Sequence, residues 1–174
     1  RQVGEAESAF QMLLKLVDLE STRRSESPTV MDEVTPTHAV RRDRWIAGQL
    51  AALYRDGTAE QKKKIDETLA RRRQEVESAG QVWGMRQFLR SFGFHPQATP
   101  VWLQLASKLS EAEGVLESLA LLANLENHPD RAVAANAIAI SAKSLTSARQ
   151  TEMAAAYYNR LTTEFSDRKS TRLN

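Results

Sequence analysis

The feature that most narrows what this chain can fold into is an internal spacing. His95-Pro96 returns as His128-Pro129 after 33 residues, and Ala106-Ser107-Lys108-Leu109 returns as Ala142-Lys143-Ser144-Leu145 after 36. A period of that length is one helical hairpin. A single hairpin cannot bury its apolar face alone, so units of this kind stack on their neighbours and stability accumulates along the array. Apolar residues recurring three and four apart elsewhere in the chain give the same reading, and no strand-like alternation competes. The expected fold is all-α, a short solenoid of two to four stacked antiparallel helix pairs.

Eight helices are expected. The first covers about Val3 to Leu19, with Phe10, Leu13, Leu14 and Val17 on one face. Residues 20–35, rich in Ser, Thr and charge with Pro28 among them, read as a flexible surface linker, because such a composition buries too little to order itself. A second helix from Pro36 to Arg55 buries Trp45, Ile46, Leu50, Leu53 and Tyr54 and ends at Gly57, read as a left-handed cap. Thr58 and Gln61 form a capping box for a third helix to Ser78, whose apolar stripe is thin. The fourth, Gln81 to Phe92, is rich in large apolar residues and ends in the turn Gly93-Phe94-His95-Pro96. Thr99-Pro100 opens the fifth, Ser110 with Glu113 caps the sixth through Leu116 and Leu119, Pro129-Asp130 opens the seventh, and Ser147 with Gln150 caps the eighth. In domain terms, 1–19 ends a truncated repeat, 36–93 holds helix pairs of irregular repeat, and 94–166 holds the regular pairs.

The regular half resembles the tetratricopeptide repeat, in which a small residue on one helix receives an aromatic from a neighbour. Ala154 and Tyr158 match that pattern, and Ile138, Ala142 and Leu145 give its large, small, large order in the preceding helix. Three positions depart: Ser141 stands where leucine is usual, Leu161 where alanine is usual, and Ser166 where proline is usual. The resemblance covers about Asp130 to Ser166, extends weakly over Thr99 to Pro129, and fits Arg41 to Ser91 poorly. It implies that Ile138, Ala142, Leu145, Ala154, Tyr158 and Leu161 are repeat-packing residues. More loosely, the order RDRWIAGQL, FLRSFGFHP, AAAYYNRLTTEF is similar to the helical region of large bacterial proteins that also carry PQQ-like β-propeller repeats. That likeness implies an interaction or spacer module beside a propeller.

Charge gives little more. The chain starts at Arg1, and residues 167–174 (DRKSTRLN) resemble a sequencing-library adapter read in frame, which would make them a non-native tail. Three of the 24 basic and one of the 22 acidic residues lie there, leaving 21 of each, so the formal excess of +2 sits wholly in that tail. No cysteine is present, which excludes thiolate and disulfide chemistry and leaves the compartment open. No apolar run of about 18 residues occurs, so membrane insertion is not expected.

Candidate chemistry is sparse. His38, His95 and His128 lack the spacing of a metal pair, so no metal site is expected. Asp66, Glu67, Glu75 and Glu77 alternate with Lys and Arg at the spacing of a solvated helix. No nucleophile elbow or phosphate loop occurs, so no catalytic residue, no cofactor and no enzyme activity are expected. Trp45, Trp83, Trp102, Tyr54, Tyr157 and Tyr158 read mainly as core, with a peptide groove as the functional alternative. The expected role is a non-catalytic scaffold for protein partners. The alternative is an anionic partner such as nucleic acid, met by Lys62, Lys63, Arg71 and Arg72 on the third helix, although interleaved carboxylates leave little counterion release to drive it.

Overall fold

The computed structural model describes residues 3–22, 31–35, 38–111 and 114–165. Its elements are α1 (Val3–Thr22), β1 (Met31–Thr35), β2 (His38–Arg41), α2 (Arg42–Asp56), α3 (Ala59–Ala79), α4 (Val82–Phe92), α5 (Ala98–Glu111), α6 (Val115–Leu122), α7 (Arg131–Ser147) and α8 (Thr151–Glu164). Apart from one two-stranded hairpin the fold is all-α, with eight helices among the described residues. The contacts divide the chain into one unit to Ala98 and a second from Thr99.

The hairpin corrects the expected linker and the expected start of the second helix. β1 and β2 pair antiparallel, with Met31 opposite Arg41 and Asp32 opposite Val40, and a register shift lies between Glu33 and Thr35. Val34, Thr35 and Val40 are β-branched and suit a pleated ladder, and Pro36 disfavours helix in the residue before it. Backbone pairing ordered what side-chain burial alone could not. α2 consequently starts at Arg42 rather than Pro36. The remaining linker residues, 23–30, and the tail from 166 lie outside the described residues.

In the first unit α1 packs on α2, α2 on α4 and α3 on α4, with lesser packing of α1 and α2 on α3. Its core is Phe10, Leu13 and Leu14 of α1, Ile46 and Leu50 of α2, Ile65 and Leu69 of α3, and Met85, Phe88, Leu89 and Phe92 of α4. α3 starts where the sequence placed it. Thr58 Oγ accepts from the Gln61 amide at 3.3 Å while Gln61 returns a side-chain acceptor to the Thr58 amide at 2.8 Å. Gly57 is not a left-handed cap. Its φ of −70° and ψ of 152° are extended, and the left-handed position is Gly80, at φ 63°. Gly57 is needed for space instead, since a Cβ there would lie 2.8 Å from the Leu53 carbonyl oxygen.

In the second unit α6 packs on α7 and α7 on α8. α5 joins them through an apolar cluster of Ala106, Leu122, Leu125 and Ala137, flanked by Trp102, Leu121 and Ile140. The seam is built from small residues, and its polar atoms are satisfied inside it. Ser118 Oγ donates to the Ala106 carbonyl at 2.8 Å, and Ser144 Oγ donates to the Ile140 carbonyl at 2.8 Å. α7 and α8 run antiparallel, since Arg131 at the start of α7 donates to the Glu164 carbonyl at the end of α8 and stacks over Phe165.

Three of the expected caps are displaced. α5 starts at Ala98, so Thr99 and Pro100 lie inside its first turn rather than opening it. Ser110 is buried in the last turn of α5, α6 starts only after Gly114, and Glu113 lies outside the described residues. Ser147 closes α7, donating to the Lys143 carbonyl at 3.1 Å, and α8 follows Gln150 without a side-chain cap. Between them Arg149 takes φ 58°, a left-handed position that glycine normally fills. At Ser147 a hydroxyl satisfied by its own helix competes with the capping reading. Asp130 does cap α7, accepting from the Ala132 amide at 2.8 Å.

Candidate functional site

The 33-residue repetition of His-Pro has a shared geometry. Proline removes a donor and fixes the turn, and each histidine Nδ1 accepts the backbone amide two residues on, from Gln97 at 3.1 Å and from Asp130 at 3.0 Å. Each ring therefore carries its neutral-state proton on Nε2. The imidazoles act as turn caps, which accounts for their recurrence without a metal.

His95 does more, because its side chain is only 2 % exposed. Its Nε2 donates to Asp66 Oδ1 on α3 at 2.8 Å, and Tyr54 of α2 also donates to Asp66. The Tyr54 and His95 rings meet edge to face with centroids 4.5 Å apart. Burial pushes the His95 pKa down, against the opposing pull of the Asp66 carboxylate. Burial and the Asp66 carboxylate together push the Tyr54 hydroxyl up. A buried histidine paired with a carboxylate suggests acid–base chemistry, but a second protonation of this ring would displace the Gln97 amide, and no nucleophile adjoins it among the described contacts. The cluster fastens the turn after α4 to α2 and α3.

The depressed His95 pKa sets a pH dependence. Above about pH 6.5 the ring is neutral in both folded and unfolded chain; below it the unfolded chain takes up the proton first. The contribution is thus present above that value and is lost as pH falls toward the lower folded pKa. Urea unfolding at about pH 7 and about pH 5.5 should show wild type losing more stability than His95→Gln over this window. Equal losses would show that His95 titrates as it does unfolded.

The four cations of the expected anionic-partner face do not share one face. Positions 62 and 71, like 63 and 72, are nine residues apart, about 180° around a helix. Arg72 makes a two-pronged ion pair with Asp18 of α1, at 2.7 and 2.9 Å, and this holds the Asp18 carboxyl below its usual range. Lys62 lies over the Tyr54 ring at 5.9 Å. Lys63 and Arg71 remain exposed. Nearby, Lys64 reaches Glu7 of α1 at 3.0 Å and Arg73 reaches Glu77 at 3.7 Å. Between α1 and α3 these bridges leave a cleft of about 210 Å³, floored by Ala6, Phe10, Leu53 and Ile65. That is below the usual size of a small-molecule site, about 300–1,000 Å³.

Of the expected repeat-packing residues, Ile138, Ala142, Leu145 and Ala154 are buried and Leu161 is half-buried. Tyr158 is not packed as expected, being 47 % exposed on the outer side of α8. Leu116, placed on the apolar face of α6, is 84 % exposed because the buried side of that helix carries Ser118 and Leu122, leaving Leu116 and Ala120 facing out. The departure at Ser141 has a local reason. Its hydroxyl donates to Glu126 Oε1 at 3.4 Å, and Glu126 Oε2 also receives Arg160 of α8 at 2.7 Å. Tyr157 hydrogen-bonds to the same carboxylate and lies beneath the Arg160 guanidinium at 5.7 Å. A leucine at 141 could not take part. Sequence reading missed Glu126, whose partners lie 15 and 34 residues away.

Among the described residues there is no cluster of three or more metal-ligating side chains, and no helix is long and apolar enough to cross a membrane. Comparison with family models, curated proteins and solved structures gives no match to this chain.

Proposed function

We propose that this chain is a non-catalytic helical scaffold, an α-solenoid-like module of tetratricopeptide type that mediates protein contacts or sets spacing within a larger protein. The observation that carries the reading is where the chemistry-bearing groups are committed. Asp18 with Arg72, Glu7 with Lys64, Asp66 with His95, and Glu126 with Arg160 each join two different elements. Within the first unit packing runs between helices one or two apart in sequence, the order a repeat array requires. Exposed apolar side chains remain on the outside, among them Met12, Leu19, Leu116 and Met153. Such side chains suit contact with other proteins. The flanking β-propeller belongs to the same proposal and rests on the sequence likeness alone.

A photo-crosslinking residue placed at Leu116, Met153, Met12 or Leu19 tests this in cells of the source organism. Discrete protein adducts at some of these positions are expected. Adducts to nucleic acid alone, or none at any position, would overturn the scaffold reading.

A further inference from the structure

The outward sides of α2 and α4 carry an unusual combination. On α2, Arg41 at the N-cap, Arg44, Trp45 and Gly48 fall on one stripe at helical spacing, and all four are exposed. On α4, Trp83, Arg86 and Arg90 form the equivalent stripe, also exposed. The two helices pack on each other. Arg90 Nε reaches Asp43 at 3.5 Å, and Arg41 grips the same carboxylate at 3.1 and 2.7 Å. Burial would raise the Asp43 pKa, but Arg41, the Arg44 amide and Arg90 bring it below its usual value, so it stays anionic. One carboxylate thus contacts two arginines, and Arg44 adds a third cation beside them.

Trp45 and Trp83 stay 37 % and 47 % exposed although both lie on helices with well-buried opposite faces. Gly48 interrupts α2, where glycine costs about 1 kcal/mol relative to alanine. A Cβ at Gly48 would meet nothing within 4 Å, so internal packing does not call for glycine there. Bare backbone between exposed tryptophan and arginine lets another chain approach closely. Tryptophan and arginine are also the residues that dominate binding energy at protein interfaces.

We propose that these stripes dock an acidic amphipathic segment of a partner protein, its carboxylates on Arg41, Arg44 and Arg90 and its apolar side chains on Trp45 and Trp83. The cationic surface selects an acidic occupant, and the open backbone at Gly48 favours a polypeptide over a phosphate chain. This inference rests on the scaffold reading and supplies its partner's chemistry.

The test is titration of the full chain, followed by tryptophan fluorescence at low salt, with a synthetic helix of about 14 residues, nearly four turns, carrying leucines on one face and glutamates elsewhere. A lysine-for-glutamate peptide and an oligothymidylate serve as competing probes. Saturable binding of the acidic peptide is expected. Trp45→Ala should weaken it about tenfold or more. Arg44→Glu should do likewise with an unchanged unfolding midpoint, because the Arg44 side chain joins no ion pair among the described residues. Equal binding of the lysine peptide, stronger binding of the oligothymidylate, or indifference to Arg44→Glu would each overturn the proposal. Failure here leaves crosslinks at Leu116 and Met153 unaffected, whereas absence of protein adducts at all four crosslinking positions would overturn the scaffold reading itself.

Discussion

Replacing Phe92 with alanine should destabilise the first unit by about 3–5 kcal/mol, the largest single effect foreseen for this chain. Phe92 is the largest fully buried side chain, and its ring meets Phe88 with centroids 5.2 Å apart. Truncation removes the transfer free energy of the ring and leaves a cavity that α2 and α4 can close only partly. Phe94, two residues on, is the comparison: it is 39 % exposed and its ring meets those of Tyr54 and His95. Its alanine variant should lose clearly less, about 1 kcal/mol. Urea unfolding with amide-exchange readout of α2 and α4 compares the two, and near-equal losses would mean that α4 is not the centre of that unit.

Glu126→Ala should follow, at about 2–3 kcal/mol, for a different reason. The Glu126 side chain is 11 % exposed and accepts from Ser141, Tyr157 and Arg160. Removing it leaves the fully buried Ser141 hydroxyl without that acceptor and the half-buried Arg160 guanidinium with Glu164 alone. Glu126→Gln keeps an acceptor and should lose about half as much. Arg160→Met should also lose less than Glu126→Ala, because Glu126 retains two hydroxyl donors. If Glu126→Ala and Glu126→Gln proved equally mild, the carboxylate would not be what ties the α6–α7 turn to α8.

These two sites mark what the sequence does and does not reveal. Phe92 is legible, because Met85, Phe88, Leu89 and Phe92 recur at helical spacing and can only be one buried face. The Thr58–Gln61 box and the Asp130 cap are legible for the same local reason, since both partners lie within one turn. The hairpin is not legible because it is held by backbone pairing of β1 with β2 rather than marked by an apolar stripe. The cap at Ser147 is misplaced because a serine hydroxyl serves its own helix as readily as it opens the next. Glu126, Asp66 and Asp18 were illegible as helix-to-helix links. Their partners lie 34, 29 and 54 residues away, and nothing local identifies which arginine or histidine each will meet.

Arg72, Lys64 and Arg160 each bind a carboxylate on another element, and the cations of α3 point to different sides of the helix, so no anion-binding face is expected there. A fluorescence-anisotropy titration of the full chain against a duplex DNA at about 50 mM salt tests this. Non-specific DNA binders show dissociation constants of about 10⁻⁴ to 10⁻⁶ M, steeply weakened by salt. No saturable binding is expected up to about 10⁻⁴ M. Binding near 10⁻⁵ M that falls steeply with salt and vanishes when Lys63 and Arg71 are reversed to glutamate would contradict it.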